Sequence, residues 1–140
     1  MLYFAYGMNT NIQEMAGRCP EAEDLGVAYL PDHKMVFKYH ADMVPCAGHE
    51  APGVLWSITE DCLAALDILE GYPVYYIRKT VEVWTEDGQA VDAIMYQMPE
   101  GERLREPSSG YYDLVLQGYD QHKIPEQYMV AGLPEIVEYE

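Results

Sequence analysis

The sequence predicts an α+β domain with a mixed or antiparallel sheet, whose short strands can curl into a small barrel. Three observations carry this. Apolar patterning runs in the order strand, helix, hairpin, strand, helix, hairpin, helix. The regular strand and helix alternation that a doubly wound sheet needs is missing between Leu25 and Ile58. The 140 residues, 49% of them hydrophobic, suffice to bury a core and suit a single domain over residues 1–140.

Leu2-Tyr3-Phe4-Ala5 is a β-favouring run that enters Tyr6-Gly7-Met8-Asn9, where glycine and asparagine tolerate left-handed backbone and let N–H groups face a ligand. Asn9 or Thr10 then caps a short helix with Ile12, Met15 and Ala16 on its apolar side, ended by Gly17 and Pro20. Strand, glycine and helix start together predict an anion pocket. Leu25 to Tyr39 reads as a hairpin turning at Pro31-Asp32-His33-Lys34, and His40 to Pro52 as a long loop able to act as a lid.

Gly53 to Ile58 is a further strand, and Thr59 starts a helix with Leu63, Leu66, Ile68 and Leu69 on its apolar face, closed at Glu70 by Gly71 and Pro73. Tyr75 to Trp84 and Ala90 to Tyr96 flank an Asp87-Gly88 turn, the strongest hairpin signal in the chain. Ser108 or Ser109 caps a helix with Tyr112, Val115, Leu116 and Tyr119 at helical spacing. A last short helix follows Pro125, before an acidic end, Glu135 to Glu140, expected to be solvated surface.

A formal charge of -16 repels phosphate backbones and anionic membrane surfaces, and the Lys and Arg residues do not cluster, so nucleic acid and membrane are excluded as expected partners. Cys19, Cys46 and Cys62 are odd in number and far apart, which suggests neither a disulfide framework nor a zinc site; Cys62 is expected to pack. His33, His40, His49 and His122 lack metal-ligand spacing. With no leader and no membrane-length apolar run, a soluble cytoplasmic protein is expected, its oligomeric state open.

Chemistry is expected at two places. Glu70 ends an apolar helix at the negative end of its dipole and follows Leu69, both of which raise a carboxylate pKa toward that of a base working near neutrality. A solvated helix-end glutamate is the alternative. Likewise Tyr6-Gly7-Met8-Asn9, taken alone, is also what an ordinary β-to-α turn looks like.

Taken together, Y-F-A-Y-G-M-N at the start, L-D-I-L-E-G-Y, a tyrosine-bearing strand and P-S-S-G-Y resemble the γ-glutamylcyclotransferase family, including its AIG2-like branch, over nearly the whole chain. The resemblance implies a small mixed β-barrel with peripheral helices. It implies substrate binding by Tyr6, Gly7, Met8 and Asn9, with Tyr3 on the strand leading in, and by Tyr76 and Tyr111, with Tyr112 competing for the last assignment. Glu70 falls on the catalytic position, as general acid and base. Met8 stands where the family usually has Ser or Thr, replacing a hydroxyl by a thioether that hydrogen-bonds poorly.

The implied reaction is attack of a γ-glutamyl group's own α-amine on its δ-carbonyl, releasing 5-oxoproline with an amine or amino acid, and requires no metal, nucleotide or organic cofactor. The expected partner is a small γ-glutamyl substrate. A non-catalytic module that binds a γ-glutamyl or other carboxylate metabolite is the alternative.

Overall fold

The computed structural model describes residues 1–134; the acidic end read as solvated surface lies outside the described residues. Strands β1 (Leu2–Ala5), β2 (Glu23–Lys38), β3 (His40–Ser57), β4 (Ile77–Thr85) and β5 (Ala90–Gln97) close into a barrel in the order β1-β3-β2-β4-β5. Neighbours are antiparallel except at the closure, where β1 runs parallel to β5 at Tyr3 and Ile94. Helices α1 (Ile12–Arg18), α2 (Glu60–Glu70), α3 (Ser109–Gln121) and α4 (Gln127–Val130) are peripheral. The fold is therefore the mixed α+β barrel expected. Phe4, Phe37, Met43, Val54, Val83 and Met95 are fully buried in its core. Among the described residues no helix is long and apolar enough to cross a membrane.

Two expectations about the middle of the chain are corrected. Pro31-Asp32-His33-Lys34 is not a hairpin turn, and His40 to Pro52 is not a loop: both lie in β2 and β3, which pair from Glu23 and Ser57 to Lys38 and His40. The turn is at Tyr39, which holds φ 70° without glycine or asparagine. Pro31, Pro45 and Gly48 sit around an interruption of the ladder, where pairing jumps from Pro31 and Glu50 to His33 and Pro45. There the Gly48 N–H donates to the Asp32 carboxylate at 3.0 Å, so the break is hydrogen-bonded.

Local signals fare better. Thr59 caps α2 by accepting from the Cys62 N–H, Ser108 caps α3 by accepting from the Tyr111 N–H, and the Asp87-Gly88 turn joins β4 to β5. On α2, however, Leu66 and Cys62 face inward while Ile68 is 84% exposed.

The cysteine reading also fails. Cys19, just after α1, is bonded to Cys62 in the first turn of α2, across 43 residues of sequence. Their packing is tertiary, and spacing carries no sign of it. Closing a loop of that length restricts the unfolded chain. Replacing both cysteines by serine is expected to lower the free energy of unfolding by about 2–4 kcal/mol, read as a lower urea midpoint. A wild-type midpoint unmoved by reductant would contradict this.

Candidate active site

Between β1 and α1 the chain forms one 3₁₀ turn, Met8–Thr10. Three contacts fix it. Thr10 Oγ1 donates to the Gly7 carbonyl at 2.8 Å, the Tyr119 hydroxyl to the Tyr6 carbonyl at 2.8 Å, and the Trp56 indole N–H to the Asn9 carbonyl at 2.9 Å.

Gly7 has φ −113°, so left-handed backbone is not what calls for glycine here. Space is. A Cβ would lie 3.0 Å from Ala41 Cβ and 3.2 Å from the Tyr111 hydroxyl. The helix start contributes no anion pocket, because Asn11, rather than Asn9 or Thr10, caps α1: its Oδ1 accepts from the Gln13 and Glu14 N–H groups at 3.1 and 3.2 Å, which are thereby spent.

Facing the turn, α2 ends at Glu70 because Gly71 takes φ 65° and returns its N–H to the Asp67 and Ile68 carbonyls. Between them lies a cavity of about 360 Å³, lined by Tyr3, Tyr6, Gly7, Met8, Asn9, Glu70, Tyr76 and Tyr111, the residues singled out from sequence. Phe4, His40, Ala41, Leu69, Tyr75 and Tyr96 line it as well and were missed. His40 and Ala41 follow the unpredicted turn at Tyr39, and only a correct reading of the β2–β3 hairpin would have brought them in. Tyr112 points elsewhere, donating to Glu126 at 2.9 Å.

Asn9 spans the gap. Its Nδ2 donates to the Tyr3 hydroxyl at 3.1 Å and reaches Glu70 Oε1 at 3.5 Å, while its Oδ1 is buried with no partner among the described residues. Burial pushes the Glu70 carboxyl up to about 7, against the downward pull of Arg18. Desolvation, more than the helix end, is thus the cause.

The cavity tyrosines divide by what their hydroxyls do. Tyr6 donates to the Tyr96 carbonyl and Tyr76 to the Ala41 carbonyl, each at 2.6 Å, so both protons are committed. Tyr3 and Tyr111 accept, from Asn9 and from the Ala41 N–H at 3.0 Å, and donate to no described residue. Burial raises all four well above the ordinary phenol, keeping them protonated. Tyr3 and Tyr111 therefore keep O–H donors for a ligand.

A family profile described as "Gamma-glutamyl cyclotransferase, AIG2-like" matches residues 3–114. The chain belongs to this family. It is 31% identical to a Gamma-glutamylcyclotransferase of Bos taurus and 30% identical to one of Homo sapiens, each match covering 91% of this chain and 74% of the relative. A solved structure named Gamma-glutamyl cyclotransferase superposes with a TM-score of 0.85 at 27% identity, covering 100% of this chain and 92% of that one. The AIG2-like barrel is thus shared along its length, in a family named for an enzyme.

Glu70 has a measurable cost in this setting. With its pKa at about 7 in the folded chain against an ordinary 4.5, the folded state binds the extra proton between those values, so stability falls as pH rises through the window. Glu70→Gln is expected to unfold like wild type below that window. Above it, the variant should be more stable by about 3 kcal/mol, measured as a higher Tm at pH 8. Equal Tm values at both pH values would show that the carboxylate is not desolvated.

Proposed function

We propose that this chain is a γ-glutamyl cyclotransferase that cleaves a γ-glutamyl amide by attack of the substrate's own α-amine, releasing 5-oxoproline and an amine or amino acid. One observation carries the reading: a desolvated carboxylate, Glu70, shares a cavity with hydrogen-bonding groups of the β1 turn, and Asn9 reaches toward both.

The α-amine arrives as an ammonium ion and cannot attack until it loses a proton. Asn9 Oδ1, buried without a partner, is a free acceptor for that ammonium, and Glu70, with a pKa of about 7, is poised to take the proton at neutral pH. The amine nitrogen then bonds to the δ-carbonyl carbon. Because the two are tethered, the step gains the effective concentration of an intramolecular reaction. As the carbon–nitrogen bond to the leaving group breaks, Glu70 gives that proton to the departing nitrogen, then takes the second proton that the attacking nitrogen sheds in becoming the lactam N–H and passes it to the released amine, which leaves as an ammonium ion. The unspent hydroxyls of Tyr3 and Tyr111 supply donors for the substrate's anionic oxygens.

Met8 lines the cavity without adding a hydroxyl. Its thioether lies 3.9 Å from Arg18 Nη2. A module that binds without turnover is the other reading that Met8 favours, and it is tested by the same assay. The proposal includes a single domain over residues 1–140 and a small γ-glutamyl amide as partner. The cytoplasmic expectation is not carried forward, since the Cys19–Cys62 bond removes the cysteine argument for a reducing compartment.

A panel of γ-glutamyl compounds assayed for 5-oxoproline tests this directly. Wild type is expected to form it, with kcat/KM rising with pH to a plateau above about 7, as a base of that pKa requires. Glu70→Gln keeps the size of the side chain and removes the base, so kcat/KM should fall by about 10²–10⁴. Full turnover in Glu70→Gln, or tight binding with no product from wild type, would defeat the proposal.

A further inference from the structure

The cavity opens outward across side chains that the proposed chemistry leaves unused. Its inner wall is buried, with Tyr3, Tyr6, Tyr76 and Asn9 all below 7% exposure. The outer wall is not: Leu69 is 40% and Tyr75 42% exposed, and His40 beside Tyr75 is half-buried. The His40 ring lies edge-on to those of Tyr75 and Tyr111, with centroids 5.7 and 5.0 Å away. Its Nδ1 is paired with the Tyr75 hydroxyl at 2.8 Å. One imidazole nitrogen and the phenol thus satisfy each other, and the half-exposed Tyr75 ring stands at the mouth.

A cation stands next to this rim. Arg105 is tied to the turn at Tyr39, donating its N–H to the Phe37 carbonyl and accepting from the Tyr39 N–H, each at 3.0 Å. Its guanidinium stands 5.8 Å from the centre of the Tyr39 ring and forms no ion pair with a described carboxylate. Burial and Arg105 together hold His40 below its ordinary pKa, hence neutral at pH 7. In a chain of net charge -16, an arginine thus stands beside an aromatic edge, since the Tyr39 ring next to it lies 4.9 Å from that of His40.

We propose that this rim is the leaving-group subsite and that it selects γ-glutamyl amino acids whose released residue is aromatic. The ring packs against Leu69, His40 and Tyr75, and the carboxylate lies beside Arg105. The inference rests on the cyclotransferase reading. A small side chain leaves these faces wet, a cationic amine meets Arg105, and an aromatic amino acid satisfies both features.

The test compares γ-glutamyl-phenylalanine, γ-glutamyl-alanine and γ-glutamyl-phenethylamine, which has the ring without the carboxylate. For wild type, kcat/KM for the phenylalanine substrate should exceed that for alanine at least tenfold, chiefly through KM, and that for phenethylamine about threefold or more. Tyr75→Ala should cut the first ratio at least fivefold, and Arg105→Gln should bring the second to near one; both side chains are exposed, and circular dichroism checks the fold. Equal rates for phenylalanine and alanine substrates, or ratios unmoved by these variants, overturn the subsite. If none of the three is turned over, the cyclotransferase reading is what fails. Calorimetric binding of the same compounds to Glu70→Gln then decides the rim separately: a tenfold preference for the phenylalanine compound supports it, and equal affinities overturn it.

Discussion

A single buried amide joins the two halves of the cavity, and the barrel is arranged to hold it. Asn9 touches β3 through its carbonyl, which accepts from Trp56, and β1 and α2 through its side chain. Those contacts follow from strand order. β1 lies between β3 and β5, so Tyr3 is paired across strands with Trp56 and meets the Tyr96 ring edge-on at 5.9 Å. Tyr96 in turn donates to Asp67 at 2.6 Å, and Arg78 from β4 pairs with the same carboxylate at 3.2 Å. Asp67 and Glu70 are three residues apart on α2 and hence neighbours on its surface, so docking the first aims the second at Asn9.

This accounts for what could be read from sequence and what could not. The β1 run, the Thr59 cap, the glycine stop after Glu70 and the Asp87-Gly88 hairpin are local signals, each determined by a few adjacent residues. The long β2–β3 hairpin is not local. Its proline and glycine mark a break in the ladder, and its true turn falls on Tyr39, whose residue type announces nothing. The cap of α1 lies one or two residues beyond the expected Asn9 or Thr10, enough to turn an expected anion site into the spent N–H groups of an Asn11 cap. Cys19 and Cys62 meet only because α1 and α2 pack side by side. Of the cavity, the residues carried by motifs were legible, while His40, Ala41 and Tyr75 depended on tertiary placement.

The choice of tyrosine for so much of the wall has an electrostatic reason. A cavity that desolvates Glu70 penalises any second charge placed beside it. Burial raises Tyr3, Tyr6, Tyr76 and Tyr111 far above neutrality and lowers His40, so those groups stay uncharged while Glu70 alone among the described lining residues titrates near pH 7. Arg18 tempers the shift without forming an ion pair with Glu70, since its partner is Glu14 at 3.4 Å. A closer arginine would pull the carboxyl back to its ordinary range and leave a poorer base at neutral pH.

Position 8 then follows from the same logic. A side-chain hydroxyl there would be one more donor, yet Tyr3 and Tyr111 already keep O–H donors free in the cavity, the latter accepting from the Ala41 N–H. What the turn needs from its side chains is close approach on one face, which Gly7 gives, and a dry shield on the other. Met8 supplies the shield, its thioether lying against the Arg18 guanidinium, whose buried Nε has no partner among the described residues. A bare hydroxyl would not cover that guanidinium as a long thioether chain does. The departure from the family's usual residue is thus compatible with a base that titrates near neutrality, because the donors of the cavity, the Tyr3 and Tyr111 hydroxyls, do not depend on position 8.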